Sequence, residues 1–138
     1  MKPKVLFLCT GNSCRSQMAE GFLRHHAGDR FDAASAGTHP AGLNPEAVAV
    51  MREVGIDISH HRSKEIGEFL GQHFNYVITV CDRAKESCPI LPGATYLYHW
   101  PFDDPAAAQG PPEQQRAIFR RVRDEIADRV TQFIDGTK

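Results

Sequence analysis

Val5-Leu6-Phe7-Leu8-Cys9-Thr10-Gly11-Asn12-Ser13-Cys14-Arg15-Ser16-Gln17-Met18-Ala19-Glu20-Gly21-Phe22-Leu23 is the stretch whose reading decides the fold. Val5 to Leu8 is the continuous apolar run of a buried strand, and Gln17 to Leu23 has the composition of a helix. Cys9 therefore sits where a strand turns into a helix, with Arg15 six positions on. Backbone N–H groups of such a turn point inward, and the helix dipole adds partial positive charge. Arg15 supplies a fixed fork of donors suited to a tetrahedral oxyanion. The same positive features lower a thiol's pKa from about 8.5 to roughly 3.5–7.5. One set of atoms, the loop Thr10, Gly11, Asn12, Ser13, Cys14 and Arg15, thus binds an anion and makes Cys9 a nucleophile.

Working outward, Tyr76 to Val80 and Thr95 to Tyr98 read as further strands, and Phe31 to Ser35 as a weaker one. Asn44-Pro45-Glu46 is a helix start, with a capping side chain, proline in the first turn and an acid behind it. Gly55 is its stop. From Pro112 to about Ile134, Ile118, Val122, Ile126, Val130 and Ile134 repeat every four residues and predict one buried helical stripe. The pairs Arg120/Asp124, Arg121/Glu125 and Glu125/Arg129 predict a solvated face of mixed sign. Strands alternating with helices give an α/β fold, a parallel sheet covered on both sides. In such a sheet ligands bind beyond the carboxyl ends of the strands. Cys9, Cys81 and Asp103-Asp104-Pro105 each follow a strand, so all three are expected at one edge.

The chain has 138 residues, a formal net charge of −1, 41% apolar and 24% charged residues. Those values describe an ordinary soluble domain over residues 1–138 and argue against a nucleic-acid footprint. The short apolar run after Met1-Lys2-Pro3-Lys4 is too brief for a signal peptide or membrane span, so a cytoplasmic protein is expected. Four cysteines in that setting point to catalysis, redox work or metal rather than a structural framework. Cys81 and Cys88 fit no zinc-ribbon spacing. If the segment between them is helical, their α-carbons lie about 10.5 Å apart. A disulfide needs about 7 Å or less, so the pair joins only if that short helix unwinds. Cys14 reads as a small loop-lining residue that oxidation could join to Cys9. The adjacent pairs His25-His26 and His60-His61 suggest a metal, but neighbours on a helix point about 100° apart. Surface histidines are expected, and no metal site.

Cys9-Thr10-Gly11-Asn12-Ser13-Cys14-Arg15-Ser16, with Ser35-Ala36-Gly37-Thr38 and Asp104-Pro105, resembles the low-molecular-weight protein tyrosine phosphatase superfamily. Within it, Cys81, Cys88-Pro89-Ile90-Leu91-Pro92, His99-Trp100 and Phe102-Asp103-Asp104-Pro105 resemble the thioredoxin-coupled arsenate reductases. The resemblance implies a four-stranded parallel sheet flanked by helices on both faces. It also implies that Cys9 attacks arsenate held by Arg15 and the loop, Ser16 keeps the thiolate ionised, and Asp104 is the general acid. Cys81 would then attack Cys9 and release arsenite, and Cys88 would attack Cys81. Thioredoxin would reduce the final disulfide, with no bound cofactor. The implied partners are arsenate and thioredoxin, with no nucleic acid, no membrane and a monomeric state.

Some members of this group hold potassium beside the loop through residues matching Asn12, Glu20 and Ser35 and an aspartate. That aspartate's position is Lys64 here, so its ammonium is expected to replace the ion, pairing with Glu20 and steadying Asn12. Two other readings share the loop. A phosphotyrosine phosphatase would use the same nucleophile and acid, but Ala106 replaces the aromatic that sandwiches a substrate ring. A non-catalytic anion receptor would need no acid.

Overall fold

β1 (Lys4–Cys9), β2 (Asp32–Gly37), β3 (Tyr76–Thr79) and β4 (Tyr96–His99) form one parallel sheet in the order β2-β1-β3-β4. The structure, a computed structural model, describes residues 2–82, 91 and 93–137. Each strand lies within a residue or two of its sequence expectation. The central strand is the most apolar: Val5, Leu6, Phe7 and Leu8 are all fully buried. Successive side chains of a strand point to opposite faces, so a strand covered on both sides must be apolar at every position.

α1 (Arg15–Ala27), α2 (Pro45–Glu53) and α3 (Pro112–Gly136) cover the face that carries Val5, Phe7 and Ile78. The opposite face, with Leu6, Leu8, Ala36 and Val77, packs against Phe74 and Leu91 and the 3-10 turn Ile66–Phe69. Close approach of α1 to the core on the Val5, Phe7 and Ile78 face falls at Gly21, where a Cβ would stand 2.8 Å from Ile58 Cγ2. α2 begins as its sequence predicts: Asn44 Oδ1 accepts from the Glu46 N–H at 2.8 Å, and Pro45 occupies the first turn. β4 is an edge strand, and Tyr96, Leu97 and Tyr98 remain exposed, although Tyr96 and Tyr98 stack on Tyr76.

The stripe of α3 is buried at its centre, Val122, Ile126 and Val130, while Phe119 and Phe133 complete it more fully than the half-buried Ile118 and Ile134. Its charged face departs from expectation. Arg121 does pair with Glu125 at 2.9 Å. Arg120 instead reaches across to Glu53 at 2.6 Å, Arg116 to Glu46 at 2.8 Å, and Arg129 lies over the Trp100 ring. Arg123 is buried, donating to the Val50 carbonyl and Glu53. The cause is the neighbouring α2, whose carboxylates offer bidentate geometry that an i,i+4 partner on one helix does not match.

This clamp gives stability an acid limb. Arg120, then Arg123, hold the Glu53 carboxyl down to about 2, and Arg116 lowers Glu46. A carboxylate with a depressed folded pKa stabilises the fold above its unfolded value near 4.5, and that contribution fades as pH falls toward 2. Melting temperature should drop through this window, and Glu53→Gln should flatten the drop. A Glu53→Gln profile that parallels the wild type would remove the clamp from the explanation.

Candidate active site

Order β2-β1-β3 places a switch point between β1 and β3: the chain leaves β1 toward one side of the sheet and later returns on the other. Beyond the carboxyl ends at such a point lies the crevice where open parallel sheets bind ligands. Cys9 ends β1 there. The Val80 N–H donates to the Leu8 carbonyl at 2.9 Å, so Cys81 emerges beside Cys9, and both sulfur residues lie in one buried cluster with Trp100.

The loop after Cys9 is turned inside out by its neighbours. The carbonyls of Thr10, Gly11 and Ser13 accept from the N–H groups of His39, Ala41 and Asn44. Ser63 Oγ donates to the carbonyls of Gly11 and Asn12 at 2.9 Å each. With its oxygens pulled outward, the loop presents its amides inward, where the positive end of α1 adds to them. Gly37 makes this possible, since a Cβ there would fall 2.9 Å from the Cys9 carbonyl oxygen and 3.0 Å from the Asn12 nitrogen.

Cys9 Sγ is 2.8 Å from Ser16 Oγ and accepts from the Asn12 N–H at 3.2 Å. Arg15 is buried, with Nη1 donating to the Phe102 carbonyl at 3.2 Å and Nη2 3.8 Å from Asp104 Oδ2. Asp104 follows β4, its side chain 36% exposed, and Oδ1 accepts from the Ala106 N–H at 3.0 Å. These residues surround a cleft of about 300 Å³ lined by the loop, His39, Ala41, Asp104 and Ala106. Its described walls hold no phenyl, phenol or indole ring. Cys14 lines the cleft with its Sγ 3.9 Å from Asp104 Oδ1, and burial pushes its thiol up to about 11. It stays protonated at neutral pH.

Cys9 and Cys14 carry free thiols, and Cys81 is disulfide-bonded. Cys88 lies outside the described residues, as does most of the segment between Cys81 and Cys88, so the choice between a helical and an unwound form falls outside them too.

Glu20, Ser35 and Lys64 gather under the loop. Ser35 Oγ donates to Glu20 Oε1 at 2.5 Å, Arg24 meets Oε2 at 2.7 Å, and Lys64 Nζ stands 3.9 Å from Oε1. Lys64 steadies Asn12 in a way its sequence did not suggest, through its backbone N–H on Asn12 Oδ1 at 2.8 Å. Its ammonium is 13% exposed and donates to the Arg62 carbonyl at 2.9 Å; burial lowers its pKa. With two cations already facing Glu20, the donors Asn12, Glu20 and Ser35 do not fit an added potassium ion. Among the described residues no other cluster of His, Cys, Asp or Glu could hold a metal, and no helix is long and apolar enough to cross a membrane.

His25, His26 and His60 are exposed, but His61 corrects the expectation of a surface residue. Its side chain is 3% exposed, with Nδ1 3.0 Å from Gln17 Oε1, because the loop after Ile58 folds it against α1. Gln17 and Ser63 are site residues that sequence reasoning passed over. Gln17 had one available signal, a polar residue on the face of α1 that points into the core.

Residues 4–138 match the low molecular weight phosphotyrosine protein phosphatase family. An arsenate reductase of Halalkalibacterium halodurans is 49% identical over 99% of both chains. A solved arsenate reductase in a phosphate-binding state superposes with a TM-score of 0.83 at 34% identity, covering all of both chains. A thioredoxin-dependent arsenate reductase of Corynebacterium glutamicum gives 0.74 at 27% identity, over 98% of this chain and 61% of that one. Matched over nearly its whole length, the chain belongs to the low molecular weight phosphotyrosine protein phosphatase family and stands within it beside the arsenate reductases.

Proposed function

We propose that the protein reduces arsenate to arsenite with electrons from thioredoxin, through Cys9, Cys81 and Cys88. One observation carries this reading: Cys9 and Cys81 leave adjacent strands at the same edge and share one buried cluster. The Cys9 thiolate, held by Ser16 and the Asn12 N–H, attacks arsenic in an arsenate bound by Arg15 and the loop amides. Asp104 gives its proton to the departing oxygen, which leaves as water. A thiolate at Cys81 then attacks the Cys9 sulfur. The S–S bond forms, the S–As pair stays on arsenic, and As(V) leaves as As(III). Cys88 displaces Cys9 from Cys81, and thioredoxin supplies the two electrons that reopen the last disulfide. Lys64 and Arg24 supply the positive charge under the loop that potassium gives elsewhere in the group.

The alanine walls of the cleft favour this reading over a tyrosine phosphatase, because no described wall residue offers a phenyl, phenol or indole ring to sandwich a substrate ring. The test is NADPH consumption on adding arsenate with thioredoxin reductase and thioredoxin, set against glutathione reductase, glutathione and glutaredoxin. Steady consumption with thioredoxin is expected. Silence with both donors, alongside hydrolysis of an aryl phosphate, would transfer the assignment to a phosphatase. The Lys64 role makes its own prediction: potassium and sodium chloride at equal ionic strength should give the same arsenate turnover. A severalfold rise specific to potassium would overturn it.

A further inference from the structure

Gln17 is fully buried in the first turn of α1, yet its amide makes polar contacts in four directions. Nε2 donates to the Asn12 carbonyl at 3.2 Å, to Asn12 Oδ1 at 3.0 Å and to the Arg62 carbonyl at 2.8 Å. Oε1 faces His61 Nδ1 at 3.0 Å. A buried amide occupied at both ends cannot turn without leaving a donor or acceptor unmatched.

Its main partner is strained. Asn12 has φ 47°, and a non-glycine residue in that region persists where its surroundings over-determine it. Gln17 grips both oxygens of Asn12, Ser63 Oγ adds a second bond to the carbonyl, and the Lys64 N–H a second to Oδ1. With the oxygens fixed, the two nitrogens of Asn12 have set directions. The backbone N–H meets Cys9 Sγ at 3.2 Å, and Nδ2 donates to Ser16 Oγ at 2.8 Å. Ser16 Oγ, accepting there, keeps its own hydrogen for Cys9 Sγ, 2.8 Å away.

We infer that Gln17 is a positioning residue for the reaction: by holding both oxygens of Asn12 from within α1, it aims the Asn12 N–H and the Ser16 O–H at the Cys9 sulfur. This deepens the reading of Cys9 as the nucleophile and rests on it. Other side chains would not serve. Glutamate would set a carboxylate against two oxygens of Asn12, methionine would fill the space without donating, and asparagine is one methylene short.

Gln17→Met tests it, with Cys9 alkylation by iodoacetamide followed against pH by mass spectrometry, beside arsenate kinetics and thermal melting. The alkylation midpoint should rise by about one pH unit, because two hydrogen bonds to the thiolate lose their aim. Turnover should fall about tenfold, in kcat more than in KM. An unchanged midpoint overturns the inference, even if melting temperature drops, since that outcome means Gln17 only packs. Should Gln17→Met not fold, His61→Phe keeps a ring in place and removes the group facing Gln17 Oε1. It should move the midpoint upward by a smaller amount, and no movement again overturns the inference. Alkylation needs no arsenate, so a midpoint shift in a protein that fails to reduce arsenate would separate this inference from the assignment of substrate.

Discussion

Cys9→Ser should bring arsenate reduction and any hydrolysis of aryl phosphates to the uncatalysed background together, whereas Cys88→Ser should separate them. The first substitution removes the sulfur that the loop holds as nucleophile, and a serine hydroxyl held by Ser16 and Asn12 has no base beside it among the described contacts. The second leaves Cys9, Arg15 and Asp104 in place. In Cys88→Ser, Cys9 still attacks and Cys81 still releases arsenite, so each protein should yield one arsenite and then stall as a Cys9–Cys81 disulfide. Phosphate ester hydrolysis, for which the proposed chemistry calls on Cys9, Arg15 and Asp104 and not on Cys88, should continue at the wild-type rate. A burst assay for arsenite with a parallel chromogenic phosphatase assay reads both arms. Sustained arsenate turnover by Cys88→Ser would overturn the three-sulfur relay and point to direct reduction of Cys81 by the donor.

Arg15→Lys should lower kcat/KM for arsenate by about 10²–10³-fold although charge is preserved. The Arg15 guanidinium is buried and oriented by the Phe102 carbonyl at one nitrogen and by Asp104 near another, which leaves its plane fixed against the cleft. A lysine brings one point charge on a flexible stem and cannot present two parallel donors to a tetrahedral oxyanion. It also leaves the Phe102 carbonyl without its donor, so the loop that carries Asp104 loses a tie. Steady-state arsenate kinetics measure the loss, and thermal melting shows whether folding changed with it. A loss under threefold would mean that the loop amides alone hold the substrate.

Much of this was legible from residue order, for reasons that differ by element. Val5 to Leu8 spoke plainly because a strand covered on both faces has no polar position to blur it. Cys9 and Arg15 were legible because a thiol, a glycine and an arginine in a strand-to-helix turn need a specific explanation. The charged face of α3 misled, since local spacing offered i,i+4 partners and only the packed fold brings Glu46 and Glu53 of α2 within reach. His61 misled for a related cause: its burial depends on a loop wrapping α1, and no periodicity encodes that. Gln17 and Ser63 lie closest to what the sequence hides. Each acts by satisfying a backbone carbonyl of the nucleophile loop, and which carbonyls need an outside donor is known once the loop is closed.

The lone tryptophan of the chain gives the molecule a built-in lamp. Trp100 is buried against Phe7, 6.1 Å between rings, on the strand that ends in Cys9, and its backbone N–H donates to the Thr79 carbonyl two residues before Cys81. Sulfur bridges quench indole emission at short range, so the brightness and colour of this single fluorophore should follow each bond exchange. Stopped-flow optics on the unlabelled protein would then time the successive steps of a cycle that product assays see only as a total.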